Sequence, residues 1–392
     1  MFAIQALRAF IYGFGSILIG SSLAAAGLSP ARFGQLLFAL LAGFAIVSIL
    51  IGTLGDRIGR RRAYGLLFLV MAVAGTTFAL TTWMPALVLA ALTGTISVEA
   101  NESGPITSLE QAMIPHTAAT AALRNRAFAR YNAVAYLAGS LGALAAGGPD
   151  LFRRWFGALP ANQRFLLIFP IVALACSWLT TLLSDEVESG EELSATKRFP
   201  LITSRGIVAR LGALFAVDSF GGGFVTQTFL AYWFGRKFGA TTEMLGLVFF
   251  GAGLLQAGSS LAAGWLANRI GLLNTMVFTH LPSNILLIAV PFAGSLGLAI
   301  ALLLARFAIS QMDVPARQAY VVALVPSSER TAAASYTNTA RYVVRPLGPL
   351  IGGAIMQSIG LAAPFVAAGG LKIVDDLSLL ATFRKVKVQD QD

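Results

Sequence analysis

Charge, cysteine and histidine are all scarce in this chain of 392 residues. Only 12% of its residues are charged and 56% are hydrophobic, and the mean hydropathy is +0.75. A soluble globular domain is roughly a quarter charged, so water is not the main solvent of this chain. The single cysteine, Cys176, lies in an apolar stretch, which excludes a disulfide framework and a thiolate metal centre. The only histidines, His116 and His280, fall in different segments and provide neither a metal cluster nor a convergent catalytic base. No Gly-rich loop ending in Lys and Ser/Thr occurs, so the chain carries no ATP-driven pump of its own. No metal or cofactor is therefore expected.

What is abundant is long apolar sequence. Stretches bounded by charges, Pro or Gly give twelve helices at 4–28, 33–54, 63–82, 85–113, 127–148, 164–183, 206–234, 242–268, 273–293, 296–316, 331–356 and 360–383. Each is near the ~20 residues that cross a bilayer. The net charge of +10 is not gathered on a soluble basic face, so nucleic acid is excluded as a partner. It sorts by side instead. With both termini in the cytoplasm, the inner loops hold seventeen Lys and Arg, Arg317 counted among them, and the outer loops hold six. That asymmetry fits an even number of spans and a positive inner face. The N-terminus enters an apolar helix at once with no small-residue cleavage site after it, which reads as a retained first span rather than a signal peptide. The run 184–205, SDEVESGEELSATKRFPLITSR, is the one long polar segment. It divides an N-terminal bundle of six spans (1–183) from a C-terminal bundle of six (206–392).

The halves repeat. GTLGDRIG at 52–59 aligns with GWLANRIG at 264–271, and YNAVAYLAGSLGALAAG at 131–147 with TNTARYVVRPLGPLIGG at 337–353, at offsets of 212 and 206. Gly52, Leu54, Arg57, Ile58 and Gly59 thus recur, as do Asn132, Tyr136, Gly142 and Gly147. Both pairs lie on the same membrane side, so the repeat is parallel, an arrangement that places a polar cavity between two bundles near the midplane. The expected fold is an all-α membrane protein of twelve transmembrane helices in two pseudo-symmetric six-helix bundles.

GTLGDRIGRRR, between spans 2 and 3, resembles the signature of the major facilitator superfamily, and the resemblance extends over the whole chain. It implies alternating access by rocking of two bundles around a bound small molecule. Gly55 and Gly59 allow a tight reversal and close helix approach, while Asp56, Arg57 and Arg60 can meet helix ends and their partial charges. In the family this turn meets span 11, so Gly52, Gly55, Asp56, Arg57, Gly59 and Arg60 are expected to form a gate latch. A plain topology anchor would require neither Asp56 nor the glycines. In the second copy Asp56 becomes Asn268, and Arg60, Arg61 and Arg62 become Leu272, Leu273 and Asn274, so any second latch is weak.

Ionisable groups within spans cost roughly 2.5–3.5 kcal/mol each on insertion scales and are functional candidates by default. Span 4 carries Glu99, Asn101 and Glu102 before Gly104-Pro105. As a helix it would put the two acids on one face, where they cannot both ionise cheaply, which suits proton or cation coupling. An ion pair with an arginine of another span is the other reading. Span 10 carries Arg306 and Asp313, span 7 carries Asp218 with Gln227 beyond three glycines, and span 11 carries Arg341 and Arg345 four apart. These arginines suit an anionic substrate group or neutralise the acids. Lys372, Asp375 and Asp376 of span 12 are spaced for an internal salt bridge, and helix 12 is peripheral in the family.

The drug–proton antiporters of this family usually carry an arginine motif in span 4 and a Gly-Pro-x-x-Gly-Gly stretch in span 5. Here span 4 has acids, span 5 reads SLGALAAGGPD, and GPLIGG stands in span 11. Direction of transport is thus left open. The expected function is secondary active transport of a small solute coupled to a proton or other cation. The expected partners are the lipid bilayer, that solute and that cation, with the chain a monomer in the cell (inner) membrane. An uncoupled channel or lipid scramblase, or a membrane-embedded enzyme, are the competing classes.

Overall fold

The structure is a computed structural model that describes residues 1–100, 104–113, 121–157, 161–183, 201, 203–326 and 329–386, without the side chains of 52–57, 111–112, 121–129 and 331. All regular structure among the described residues is helical. Spans 1 to 3 are α1 (Phe2–Ala25), α2 (Pro30–Ile58) and α3 (Arg60–Leu80). Span 4 is split into α4 (Met84–Leu92) and α5 (Pro105–Met113), and span 5 is α6 (Ala121–Ala145). A short helix, α7 (Gly148–Phe156), leads to span 6, α8 (Ile168–Thr181). In the second half, span 7 is α9 (Arg205–Phe224) and α10 (Gln227–Phe238), span 8 is α11 (Thr242–Ile270), and span 9 is α12 (Leu272–Ala289). Span 10 comprises α13 (Leu296–Ile309) and α14 (Asp313–Ala323), span 11 α15 (Arg330–Val344) and α16 (Leu347–Ser358), and span 12 α17 (Ala363–Phe383).

Among the described residues, eight of these spans are long and apolar enough to cross a membrane by length and composition. The rest, spans 4, 5, 11 and 12, are interrupted or carry several charges. Each interruption has a local cause. Pro105 opens α5, where a missing N–H costs nothing. Thr226 caps α10 by accepting from Phe229 N at 3.2 Å. Pro346, at the N-cap of α16, separates it from α15.

The repeat is visible in the backbone. A single residue joins α2 to α3 and α11 to α12. These residues, Gly59 and Gly271, both sit at positive φ, 91° and 85°, a region that other residues enter only with strain. The second repeated feature is a close helix crossing. A Cβ built on Gly142 of α6 would lie 1.9 Å from the carbonyl oxygen of Phe10 in α1, and one on Gly348 of α16 2.6 Å from that of Phe220 in α9. The glycines match at offset 206 and the phenylalanines at 210. Each half has therefore kept the small residue that lets two backbones touch.

Two compact units result: Met1–Leu193 with Thr226–Gly253, and Ser194–Val225 with Leu254–Asp392. In the first, α1 is buried along most of its length against α6, α8 and α10. The α10 segment joins this unit through Thr228, whose N–H and hydroxyl both donate to Val98 O. Tyr232 also donates to Leu28 O at 2.6 Å and stacks on Phe33 with ring centroids 4.0 Å apart. In the second unit, α9 packs on α15, α16 and α17, and α12 packs on α13, α14 and α17.

Candidate functional site

The second unit buries a charged network drawn from four spans. Asp218 of α9 is its hub. One carboxylate oxygen accepts from Lys372 Nζ of α17 at 2.5 Å, and the other from the Arg317 guanidinium of α14 at 3.3 Å. Arg317 also donates to Asp313, one turn earlier, at 3.0 Å and lies over the Phe215 ring. His280 of α12 places Nε2 3.7 Å from Asp218 and Nδ1 2.9 Å from Asp376 of α17. Asn284, one turn on, donates to the second Asp376 oxygen at 3.0 Å. All of these charged groups are buried. Room for the Lys372 stem comes from the glycine triplet, since a Cβ at Gly221 would stand 3.1 Å from Lys372 Cγ.

This network is not fully matched. Asp375 is 4% exposed, and its Oδ1 has no hydrogen-bond partner among the described residues. Arg341 Nε and Asn284 Oδ1 are likewise buried without one. Such groups are costly unless something else completes them.

The first unit buries a second, tighter cluster. Glu110 of α5, 1% exposed, accepts from Arg8 of α1 at 2.7 and 3.2 Å, from Tyr64 of α3 at 2.6 Å and from Tyr131 of α6 at 2.5 Å. Arg8 also donates to Gln5 and lies over the Tyr12 ring. Both carboxylate oxygens are thus filled. A groove of about 1000 Å³ between α9 and α15 is lined by Arg205, Ser335, Tyr336 and small apolar residues, and none of the network's charged residues lines it.

A family model described as Major Facilitator Superfamily matches residues 1–309 and 212–390. The chain belongs to the major facilitator superfamily. It is accordingly a multi-pass membrane transporter rather than an enzyme. Over 411 residues it is 26% identical to YJR124C of Saccharomyces cerevisiae, described as an uncharacterized membrane protein, covering 96% of this chain and 92% of that one. Its fold is similar to that of the nucleoside transporter NupG, with a TM-score of 0.76 at 14% identity and 98% of each chain covered. It is also similar to the inward-open xylose transporter XylE from E. coli, with a TM-score of 0.73 at 15% identity, covering 100% of this chain and 96% of that one.

Within this facilitator the residues singled out from sequence disperse. Asp218 and Asp313 share the second-unit network, and Arg341 lies beside it through its carbonyl, which accepts from Ser219 at 3.0 Å. Arg345 caps the end of α15, and Arg306, on α13, stacks on Phe307. Gln227 instead meets the span 4 interruption, accepting from Ala100 N at 3.3 Å. Glu99 lies past the end of α4 at Leu92, in a non-helical bend held by Ser97, and the face expected to be shared with Glu102 falls on residues outside those described. Asn101 and Glu102 lie outside the described residues, as do the side chains of Gly52, Gly55, Asp56 and Arg57. Of the turn, Gly59 is the one-residue joint and Arg60 is buried.

Three expectations are corrected. Lys372 pairs with Asp218 of α9 across helices at 2.5 Å rather than with Asp375 or Asp376 on its own helix, the glycine triplet of α9 giving its stem room to reach that acid. Span 12 is not a bystander either, as it supplies three ionisable side chains to the network. Arg317, counted among the cytoplasmic loop arginines, is buried in α14 because span 10 runs on past Pro315 to Ala323. Arg8, Glu110 and His280 were not singled out as site residues. The signal that could have found them is positional: Arg8 and Asp218 stand 210 residues apart as matched in-span charges on spans 1 and 7.

Proposed function

We propose that this facilitator is a secondary active transporter that couples movement of a small polar organic solute to protons by alternating access. Its coupling site is the network around Asp218, Lys372 and Asp375. It works in the cell membrane with both termini on the cytoplasmic side, the orientation that the loop arginines favour.

The observation that carries this reading is the open Asp375 carboxylate beside a filled ion-pair network. A buried carboxylate oxygen without a donor is relieved by taking up a proton, which removes its charge and makes the group an O–H donor. Arg341 Nε is the complementary open donor, suited to a hydroxyl, carbonyl or anionic group of the solute. The interruptions of spans 4, 7, 10 and 11 support the same reading, since broken helices expose backbone groups where substrates and coupling ions bind. The solute class leans on the solved relatives, which include nucleoside transporters and a D-xylose–proton symporter.

The test is proton flux in proteoliposomes loaded with a pH-sensitive dye and exposed in turn to nucleosides and pentoses. The expected result is a lumenal pH change driven by at least one of these, lost in Asp375→Asn while solute exchange at equilibrium persists. Proton flux unaltered in Asp375→Asn would overturn the assignment of the coupling site.

A further inference from the structure

Two arginines of the turn, Arg61 and Arg62, are not taken up by the transport reading. They line a groove of about 730 Å³ between α3 and α8, together with Gly65, Ser177, Thr180 and Thr181. Arg61 donates to the Thr181 carbonyl, which pins its guanidinium across the end of α8, and Arg62 is exposed. Gly65 keeps the floor open: its carbonyl accepts from Ser177 at 3.2 Å, and a Cβ there would meet Thr180 Oγ1 at 3.0 Å.

We propose that this groove binds the headgroup of one anionic phospholipid. Three observations converge on that occupant. The first is depth. The groove lies where α3 begins and α8 ends, the level at which an apolar span meets the headgroups. Trp178, next to Ser177 in the last turns of α8 and 62% exposed, is the residue type enriched at that level. The second is the wall. Leu66 and Leu69 line one side of the groove, and each is about half exposed. Acyl chains rather than water suit such side chains. The third is charge. The Arg61 and Arg62 guanidinium groups line one opening, and forked N–H donors match phosphate oxygens, while the hydroxyls of Ser177, Thr180 and Thr181 donate to backbone carbonyls. A soluble anion satisfies the third observation alone, whereas a zwitterionic lipid satisfies the first two. An anionic phospholipid satisfies all three.

The experiment is native mass spectrometry of the delipidated full-length protein titrated with dioleoyl phosphatidylglycerol, dioleoyl phosphatidylcholine or inorganic phosphate. The wild type is expected to retain one phosphatidylglycerol through collisional activation and to prefer it over phosphatidylcholine. Basic residues at a membrane surface contribute such that removing one should weaken binding about five-fold, and Arg61→Gln with Arg62→Gln about thirty-fold. Gly65→Leu, which keeps both arginines but fills the groove, should weaken retention as well. Equal retention of the two lipids, unchanged phosphatidylglycerol affinity in the double variant, or its displacement by inorganic phosphate would each overturn the proposal. Transport activity is not the readout, so the result is independent of how Asp375 behaves.

Discussion

Arg8–Glu110 in the first unit and Asp218–Arg317 in the second join corresponding helices, spans 1 and 4 in one and spans 7 and 10 in the other. Their polarity is reversed: the cation stands on span 1 and the anion on span 7. Their completeness also differs. Both carboxylate oxygens of Glu110 are filled, each by one Arg8 nitrogen and one uncharged tyrosine hydroxyl. Around Asp218 the partners are themselves ionisable, with two cations, a histidine and two further acids, and Asp375 keeps an unmatched oxygen. A closed cluster fixes one arrangement of its helices. An open one has more than one way of distributing its charges, which is what a transport cycle needs. Duplication therefore preserved the frame while the contents of the two frames diverged.

The largest effects that break or sustain this contrast come from removing one charge. Glu110→Gln leaves Arg8 buried and unpaired, and Asp218→Asn does the same to Lys372, while Arg317 keeps Asp313 at 3.0 Å. Each should destabilise the protein by about 3–5 kcal/mol, read as early thermal unfolding in detergent. The discriminating variants remove both partners. Arg8→Met with Glu110→Met should recover folding and also transport, because a closed apolar replacement serves the same structural end. Asp218→Asn with Lys372→Met should recover folding and still fail to accumulate solute against a gradient. A folded first-unit double variant without transport, or a second-unit double variant that still concentrates solute, would erase the distinction.

A smaller effect measures how alike the two frames are. Gly142→Ala and Gly348→Ala introduce the same methyl group at matched crossings, 1.9 Å and 2.6 Å from a backbone carbonyl oxygen. Neither oxygen can rotate away, so both helices must separate, at about 1–3 kcal/mol. The shorter approach predicts the greater loss of thermal stability for Gly142→Ala. Equal, negligible losses would mean that the crossings are slack and that these glycines record ancestry alone.

Much of the frame was legible in sequence because it depends on period and on glycine. Apolar run lengths located the spans, and the repeated Gly59/Gly271 and Gly142/Gly348 are the positions where the structure requires a positive φ or a missing Cβ. The site was less legible. Reading span 4 as one helix missed the break after Leu92, because the 3.6-residue period says nothing about where a helix stops. The pairing of Lys372 was misread for a related reason: spacing along one helix favours local partners, while the actual partner, Asp218, is 154 residues away. Glu110 lay in plain view of the charge census, but its charged partner Arg8 stands 102 residues away on α1 and its two tyrosine partners added nothing for a census to count.

The smallest effect concerns a third carboxylate, outside the spans, and it bears on which cluster any pH dependence belongs to. Asp150 of α7 accepts from Thr242 N at 3.0 Å and from the Thr242 hydroxyl, so it caps the first turn of α11. Burial pushes its carboxyl up, but the bonds from Thr242, Asn162 and Glu243 N and the Arg153 charge outweigh that and hold it below the ordinary carboxylate range. The sign follows directly. A depressed carboxyl contributes stability that is present above its unfolded value and is lost only as pH falls through the lower, folded one. Asp150→Asn should therefore cost about 1 kcal/mol at neutral pH, the scale of a lost helix cap. It should also flatten the loss of stability in acid, measured by thermal unfolding across a pH series. It should leave any pH dependence of transport near neutrality untouched, since Asp150 does not titrate there. If that neutral dependence vanished in Asp150→Asn, the cap of α11 rather than the open network around Asp218 would be the proton-responsive element, and the contrast between the two buried clusters would lose its functional meaning.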